Sequence, residues 1–277
     1  MGIHLTLSGK GGAGKSMFTA SLLAYMLKKN KEIMGVDADV DAPDLAVWLN
    51  ANTYTIVKEI YAVNRVKILK PDVKAKSIEL CPNGALEWKK GRIEYNKFLC
   101  EGCGLCNIIE PDIFEMVHVK NGEIREYTDV KLIEGSLEPG FTGSGKIVSE
   151  IMEFAKQKSN TLIVDGAAGT GCSVNAAIKE SDMITLVIEE SINGFIDFKR
   201  TLNIVKAFHK PFNVVINKHG LNKEIYKKIS EEFEISGVIP YSKDIFECAT
   251  KRINVYDCKR DLIKEVLKNI EEKIKTI

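Results

Sequence analysis

Gly9-Lys10-Gly11-Gly12-Ala13-Gly14-Lys15-Ser16 is the stretch that decides the fold. It satisfies the phosphate-loop pattern G-x-x-x-x-G-K-[ST], with Met17 completing the segment expected at the ligand. Glycines here let backbone N–H groups turn inward around phosphate oxygens, where a Cβ would obstruct them. An apolar strand, Ile3–Leu7, precedes the loop, and a helical pattern, Lys15–Lys29, follows it. The positive end of that helix then points at the same phosphates. Lys15 is expected to neutralise β/γ oxygens and Ser16 to ligate Mg²⁺. A glycine-rich turn without ligand is the bland alternative, and the full motif in its strand–helix context speaks against it.

Outward from the loop, short apolar runs alternate with helical patterns. Strands are expected at Glu32–Val36, Thr161–Val164, Met183–Ile188, Phe212–Ile216 and Ser236–Ile239. Helices are expected at Ser144–Lys156, Gly194–Phe208 and Lys223–Phe233, and Asp261–Lys275 has one apolar helical face suited to packing on the sheet. Such alternation means βαβ units, an α/β fold with a mostly parallel sheet covered by helices on both faces. Residues 57–128 break the pattern with turns such as Pro82-Asn83-Gly84 and no long helical period. They read as an insertion between a first part, 1–56, and a second part, 129–277, of one large domain.

Lys+Arg 39 against Asp+Glu 38 leaves +1, which speaks against strong non-specific attraction to nucleic acid or anionic lipid. No run of 18 apolar residues appears, and the N-terminus lacks the basic flank and cleavage site of a signal peptide, so a cytoplasmic protein is expected. Four of the seven cysteines fall within residues 81–106, which suits metal ligation better than a disulfide framework.

The early lysine of the loop, Lys10 in Lys-Gly-Gly-x-Gly-Lys-Ser, resembles the signature of the MinD/ParA superfamily of P-loop ATPases. The resemblance implies a homodimer in which Lys10 reaches phosphates bound by the partner subunit, the role of an arginine finger. Val36-Asp37-Ala38-Asp39 resembles the family's D-x-D segment. By that likeness Asp37 holds a magnesium-bound water and Asp39 positions the attacking water, making Lys10, Lys15 and Asp39 the expected catalytic groups. Asp41 and Asp44 read as starting the next helix. Leu162-Ile163-Val164-Asp165 reads as the Walker B strand, with Asp165 near Mg²⁺, and the glycines after it resemble the family's switch. Val214-Val215-Ile216-Asn217 resembles the strand whose asparagine reads adenine, and an amide that both donates and accepts fits ATP. Gly140–Lys146 mimics a second phosphate loop, but Ile147 replaces the magnesium-binding hydroxyl, so it reads as a loop and helix start.

Cys100-x-x-Cys103-x-x-Cys106 matches the first three ligands of the bacterial ferredoxin motif, whose fourth cysteine serves the other cluster of a pair. Cys81-Pro82 fits the fourth position of an earlier motif, whose other three positions hold Pro71, Lys74 and Ser77. The fourth position of the later motif holds Glu110. The losses remove one whole cluster and leave one [4Fe–4S] cluster on Cys81, Cys100, Cys103 and Cys106. A Cys₄ zinc site is the competitor, though zinc usually takes two separated C-x₂-C pairs. The combination resembles MinD-superfamily ATPases containing an inserted ferredoxin-like α+β domain.

Cys172 follows Asp165 at about the place where the related nitrogenase iron protein carries a bridging cluster ligand. It has two readings, that ligand or a small buried hydrophobe. Cys248 and Cys258 read as structural. The expected cofactors are therefore ATP, Mg²⁺ and one [4Fe–4S] cluster, with a redox or metallocofactor-maturation protein as partner. A cluster carrier gated by ATP, or a MinD-like spatial organiser with a structural cluster, are the rival functions.

Overall fold

Apolar runs without alternation, such as Leu162-Ile163-Val164, suit strands covered on both faces, and these three side chains are completely buried. The computed structural model describes residues 2–30 and 32–275. The chain opens with β1 (Gly2–Ser8), α1 (Lys15–Leu27), β2 (Ile33–Asp37) and the single turn α2 (Leu45–Trp48). Then come β3 (Tyr54–Ile60), β4 (Val63–Ile68), α3 (Ser77–Leu80), β5 (Leu86–Lys89) and β6 (Arg92–Tyr95). The middle continues with α4 (Leu105–Ile109), β7 (Phe114–Val119), β8 (Gly122–Tyr127) and β9 (Leu132–Leu137). Regular alternation resumes with α5 (Ser144–Lys158), β10 (Thr161–Ala168), α6 (Cys172–Glu180), β11 (Met183–Glu189) and α7 (Ile192–Ala207). The chain closes with β12 (Phe212–His219), α8 (Lys223–Glu232), β13 (Ile235–Pro240), α9 (Lys243–Thr250), α10 (Val255–Cys258) and α11 (Lys264–Ile274).

The main sheet has nine strands in the order β13-β12-β11-β1-β10-β2-β9-β8-β3. From β13 to β9 every neighbouring pair is parallel. Both neighbours of β1 come late in the chain, so the loop leaving its C-terminal end sits at the topological switch point, where open α/β sheets bind ligands. The register pairs Thr6 with Asp165 and Asp165 with Asp37, which brings the carboxylates of β10 and β2 level with the loop.

Helix α1 is apolar nearly all round and buried from Lys15 to Met26, as expected of a core helix rather than an amphipathic one. One side meets Ile163 and Val215 of the sheet, and the other meets Ile263, Val266, Leu267 and Ile270 near the C-terminus. That C-terminal face is the one its sequence periodicity marks. Tyr25 stacks edge-on to Tyr256 at 5.2 Å and donates to Glu271 at 2.9 Å, tying the two ends of the chain together.

Two compact units divide the chain. One comprises Met1–Val57, Ile124–Ser136 and Ser144–Ile277; the other comprises Lys58–Glu123 and Leu137–Gly143. The second holds two small antiparallel pairs, β4–β7 and β5–β6, with the short helices α3 and α4. Its own core is Val66, Ala75, Leu86, Ile93, Ile113 and Phe114. Strand β9 ends just before Glu138, and the false loop Gly140–Lys146 that follows it is a turn and the start of α5, as its sequence suggested. Cys248 and Cys258, read from the sequence as structural, form a disulfide that closes the turn between α9 and α10. No helix among the described residues is long and apolar enough to cross a membrane.

Candidate functional site

Lys15, the first residue of α1, is buried at the mouth of β10. Its Nζ lies 2.8 Å from Asp165 Oδ2 and 3.3 Å from Asp39 Oδ2, and it donates to Ser16 Oγ at 3.2 Å. Burial alone would lower the affinity of this amine for its proton. The fields of Asp165, Asp39 and Asp37 outweigh it and hold Lys15 charged well above the ordinary lysine range. Thr19, one turn along α1, donates to Asp165 Oδ1 at 2.8 Å, so both oxygens of that carboxylate are fixed.

Asp37, completely buried, is held by the chain that follows it. Its Oδ1 accepts from the N–H of Asp39 at 3.1 Å, and its Oδ2 accepts from Asp44 and Leu45 at 3.0 and 2.9 Å. Asp37 thus caps α2, the task the sequence suggested for Asp44. Burial, then the nearby charge of Asp165, push the Asp37 carboxyl well above the usual range. Asp44 is left free to face inward, and oxygens of Asp37, Asp44 and Asp165 lie within 4.8 Å of one another. Three convergent carboxylates beside Ser16 are a donor set suited to a hard divalent cation.

Lys10 pairs with Glu189 at the end of β11 and approaches Ser191 Oγ at 3.4 Å. The other oxygen of Glu189 accepts from Lys218 at 2.8 Å, and Lys218 also donates to Gly12 O at 2.8 Å. Burial would raise the Glu189 carboxyl, yet hydrogen bonds from Lys10, Lys218 and Ser191 hold it down at about 2. Asn217 donates from Nδ2 to Ala13 O at 2.8 Å, which anchors β12 to the loop. A cavity beside this contact is lined by Gly12, Gly14, Met17, Trp48, Asn217, Tyr241 and Phe246, among others.

In the second unit, Cys81, Cys100, Cys103 and Cys106 line a single cavity, although 19 positions separate the first two. Helix α3 ends at Cys81, and its N-terminal N–H groups at Lys76 and Ser77 donate to Glu110 at 3.0 and 2.9 Å. The acidic residue at the missing ligand position is therefore a helix cap. Gly102 adopts φ +69°, and a Cβ there would lie 2.1 Å from Asn64 O, so only glycine lets this loop lie against β4. Among the described residues no three cysteine sulfurs lie within 4.8 Å of one another.

The CobQ/CobB/MinD/ParA nucleotide binding domain matches residues 5–255. The chain belongs to this family. Two Methanocaldococcus jannaschii proteins align along nearly their whole length. Uncharacterized protein MJ0578 is 32% identical over 276 residues, covering 97% of this chain and 95% of that one. Uncharacterized protein MJ0579 is 29% identical over 269 residues, covering 96% of each. Among solved structures, the cell division ATPase MinD of Pyrococcus furiosus is 17% identical with TM-score 0.60, covering 98% of this chain and 99% of that one. The septum site-determining protein MinD from Pyrococcus horikoshii, complexed with Mg-ADP, has TM-score 0.59 at 15% identity over 98% and 95%. These likenesses establish the P-loop fold.

Within this MinD/ParA-type loop, the structure gathers Lys15, Asp37, Asp39 and Asp165 around one point and sets Asn217 against Ala13 and Gly14. Thr19 and Lys218 join them without having stood out in the sequence, and so does Asp44, which the sequence marked only as a helix start. Thr19 sits in an apolar helix and gave no signal, whereas Asp44 could have been found as a third carboxylate close to a D-x-D pair. Cys172 begins α6 and is exposed, so the buried-hydrophobe reading fails; the cavity of the other four cysteines does not include it.

Proposed function

We propose that this protein is a Mg²⁺-dependent ATPase, acting as a homodimer, whose nucleotide state controls one [4Fe–4S] cluster. The cluster serves electron delivery or metallocofactor assembly on a partner protein. ATP lies along the loop Gly9–Ser16, with Lys15 on its β/γ oxygens, Ser16 and the carboxylates near Mg²⁺, and Asp39 orienting the attacking water. Lys10 leaves Glu189 to reach the phosphates of the second subunit. The adenine enters the cavity beside Asn217. The name of one relative, the ATP-binding protein MJ0823 of M. jannaschii, agrees with this choice of nucleotide.

The observation that carries the cluster is the cavity shared by Cys81, Cys100, Cys103 and Cys106. Ser77 lines the same cavity, and its buried Oγ, with the Glu110 carboxylate as its neighbour, brings a hydroxyl to the cavity wall. Zinc at about 2.3 Å from each sulfur would draw four thiolates to about 3.8 Å apart. The tandem Cys100, Cys103 and Cys106 with a distant Cys81, in place of two separated C-x₂-C pairs, favours a polynuclear centre. When bound, such a cluster supplies one-electron redox chemistry. The exposure of Cys103 favours a second reading, a carrier that hands its cluster to an apo-protein.

Asp39→Ala is expected to bind ATP and lose at least tenfold in hydrolysis; unchanged hydrolysis by the pure variant removes the role of Asp39. Iron and sulfide analysis after anaerobic purification, then EPR with and without ATP, tests the cluster and its coupling. A preparation without iron or sulfide overturns that half. Cluster transfer to an apo-protein without redox turnover selects the carrier.

A further inference from the structure

Arg65 on β4 is an expensive residue where it stands. It is 4% exposed, and among the described residues it forms no ion pair. Its Nη1 donates to Asn64 O at 3.2 Å, its guanidinium lies 4.9 Å from the centre of the Phe141 ring, and its Nε has no hydrogen-bond partner. A buried cation without a counter-charge is strongly disfavoured, so such groups persist where an anion is met. The guanidinium lies against the cysteine loop: a Cβ on Gly102, between Cys100 and Cys103, would come 3.5 Å from Arg65 Nη1. The next residue, Val66, lines the cysteine cavity itself. A second polar atom nearby, Tyr95 Oη, is also buried without a partner, and the Cys100 thiol is its neighbour.

We propose that Arg65 is the buried counter-ion of the cluster and sets its reduction potential. This rests on the cluster reading above. Four thiolates around a [4Fe–4S]²⁺ core make a dianion, and gaining one electron makes it a trianion, with no bond formed or broken. A fixed cation stabilises the trianion more than the dianion, so it raises the potential. Because the positive charge is buried, solvent and salt screen it weakly. Tyr95 supplies an O–H donor on the Cys100 side, a smaller effect of the same sign.

The test is a redox titration of the anaerobically reconstituted full chain, followed by EPR, with iron and sulfide measured on each sample. Arg65→Met is expected to shift the equilibrium toward the oxidised cluster at least tenfold, which is 59 mV for one electron. Arg65→Lys, which keeps the charge, is expected to stay within threefold of the parent. Full iron content with an unmoved potential in Arg65→Met overturns the proposal and leaves the cluster reading intact. Parent protein that takes up no iron or sulfide overturns both. Should Arg65→Met fail to hold a cluster, Arg65→Lys decides: retention of the cluster at a near-parental potential supports the charge role. Loss of the cluster from Arg65→Lys as well overturns it.

Discussion

Lys10 forms an ion pair with Glu189 of its own chain, on the carboxylate that also holds Lys218. A lysine proposed to act on the partner's nucleotide is thus occupied within its own subunit, and closure of the dimer must break that pair. Lys10 is 31% exposed and Glu189 13%, so solvent discounts the contact to about 1 kcal/mol. Glu189→Gln weakens the hold on Lys10, and its other partner, Lys218, keeps Gly12 O as an acceptor. It is expected to form the ATP-dependent dimer at roughly fivefold lower protein concentration, since about 1.4 kcal/mol is tenfold. Sedimentation velocity over a concentration series measures this, and an unchanged or weaker dimer removes Glu189 as a restraint.

His4 makes a prediction about acid stability. It lies on the central strand β1, 1% exposed, with Nε2 2.9 Å from Thr185 Oγ1 and Nδ1 without a partner. Burial lowers its pKa from 6.5 to about 3, so the unfolded chain takes up a proton that the folded chain refuses. The neutral ring is tolerated in full above pH 6.5, and its share of stability is lost as pH falls from 6.5 toward about 3. The slope is at most about 1.4 kcal/mol per pH unit. Asp37 and Asp39, pushed upward by burial, act in the opposite sense. The comparison is therefore between parent and His4→Val, by urea denaturation between pH 6.5 and 5. The variant is expected to lose less stability on acidification; equal slopes would mean that His4 titrates normally.

The parallel core was legible in the sequence because β1, β10, β11 and β12 are buried on both faces and are therefore mostly apolar. Strand β9 was not, since Leu132-Ile133-Glu134-Gly135 carries a buried acid in its middle. Glu134 is tolerated there because Arg125 and Tyr127 each donate to it at 3.0 Å. Helix α6 hid behind the glycines that precede it. In the site, Lys15 was readable from the phosphate-loop spacing, Asp165 from the apolar strand it ends, and Asp39 only from the resemblance to the family. Asp44 does stand at the start of α2, as its sequence position suggested, but only the fold shows that the carboxylate accepting from the first N–H groups there is Asp37. The disulfide between Cys248 and Cys258 joins residues with no motif between them.

Gly14 and Asn217 constrain one another, and that constraint can be measured. Gly14 sits at φ +95°, where an alanine costs about 1–2 kcal/mol. A Cβ at that position would also lie 2.0 Å from Asn217 Nδ2, the atom that donates to Ala13 O. Gly14→Ala must therefore both strain the loop and displace the amide that ties β12 to it. It is expected to weaken ATP binding at least tenfold by titration calorimetry. Asn217→Ala removes the obstructing amide and the anchor together, leaving the backbone strain. If the clash contributes, Gly14→Ala costs less in the Asn217→Ala background, and the cycle shows a coupling of about 1 kcal/mol or more. Equal costs in both backgrounds would assign the whole requirement for glycine to its backbone angle, and Asn217 would then be free to turn toward a base without disturbing the loop.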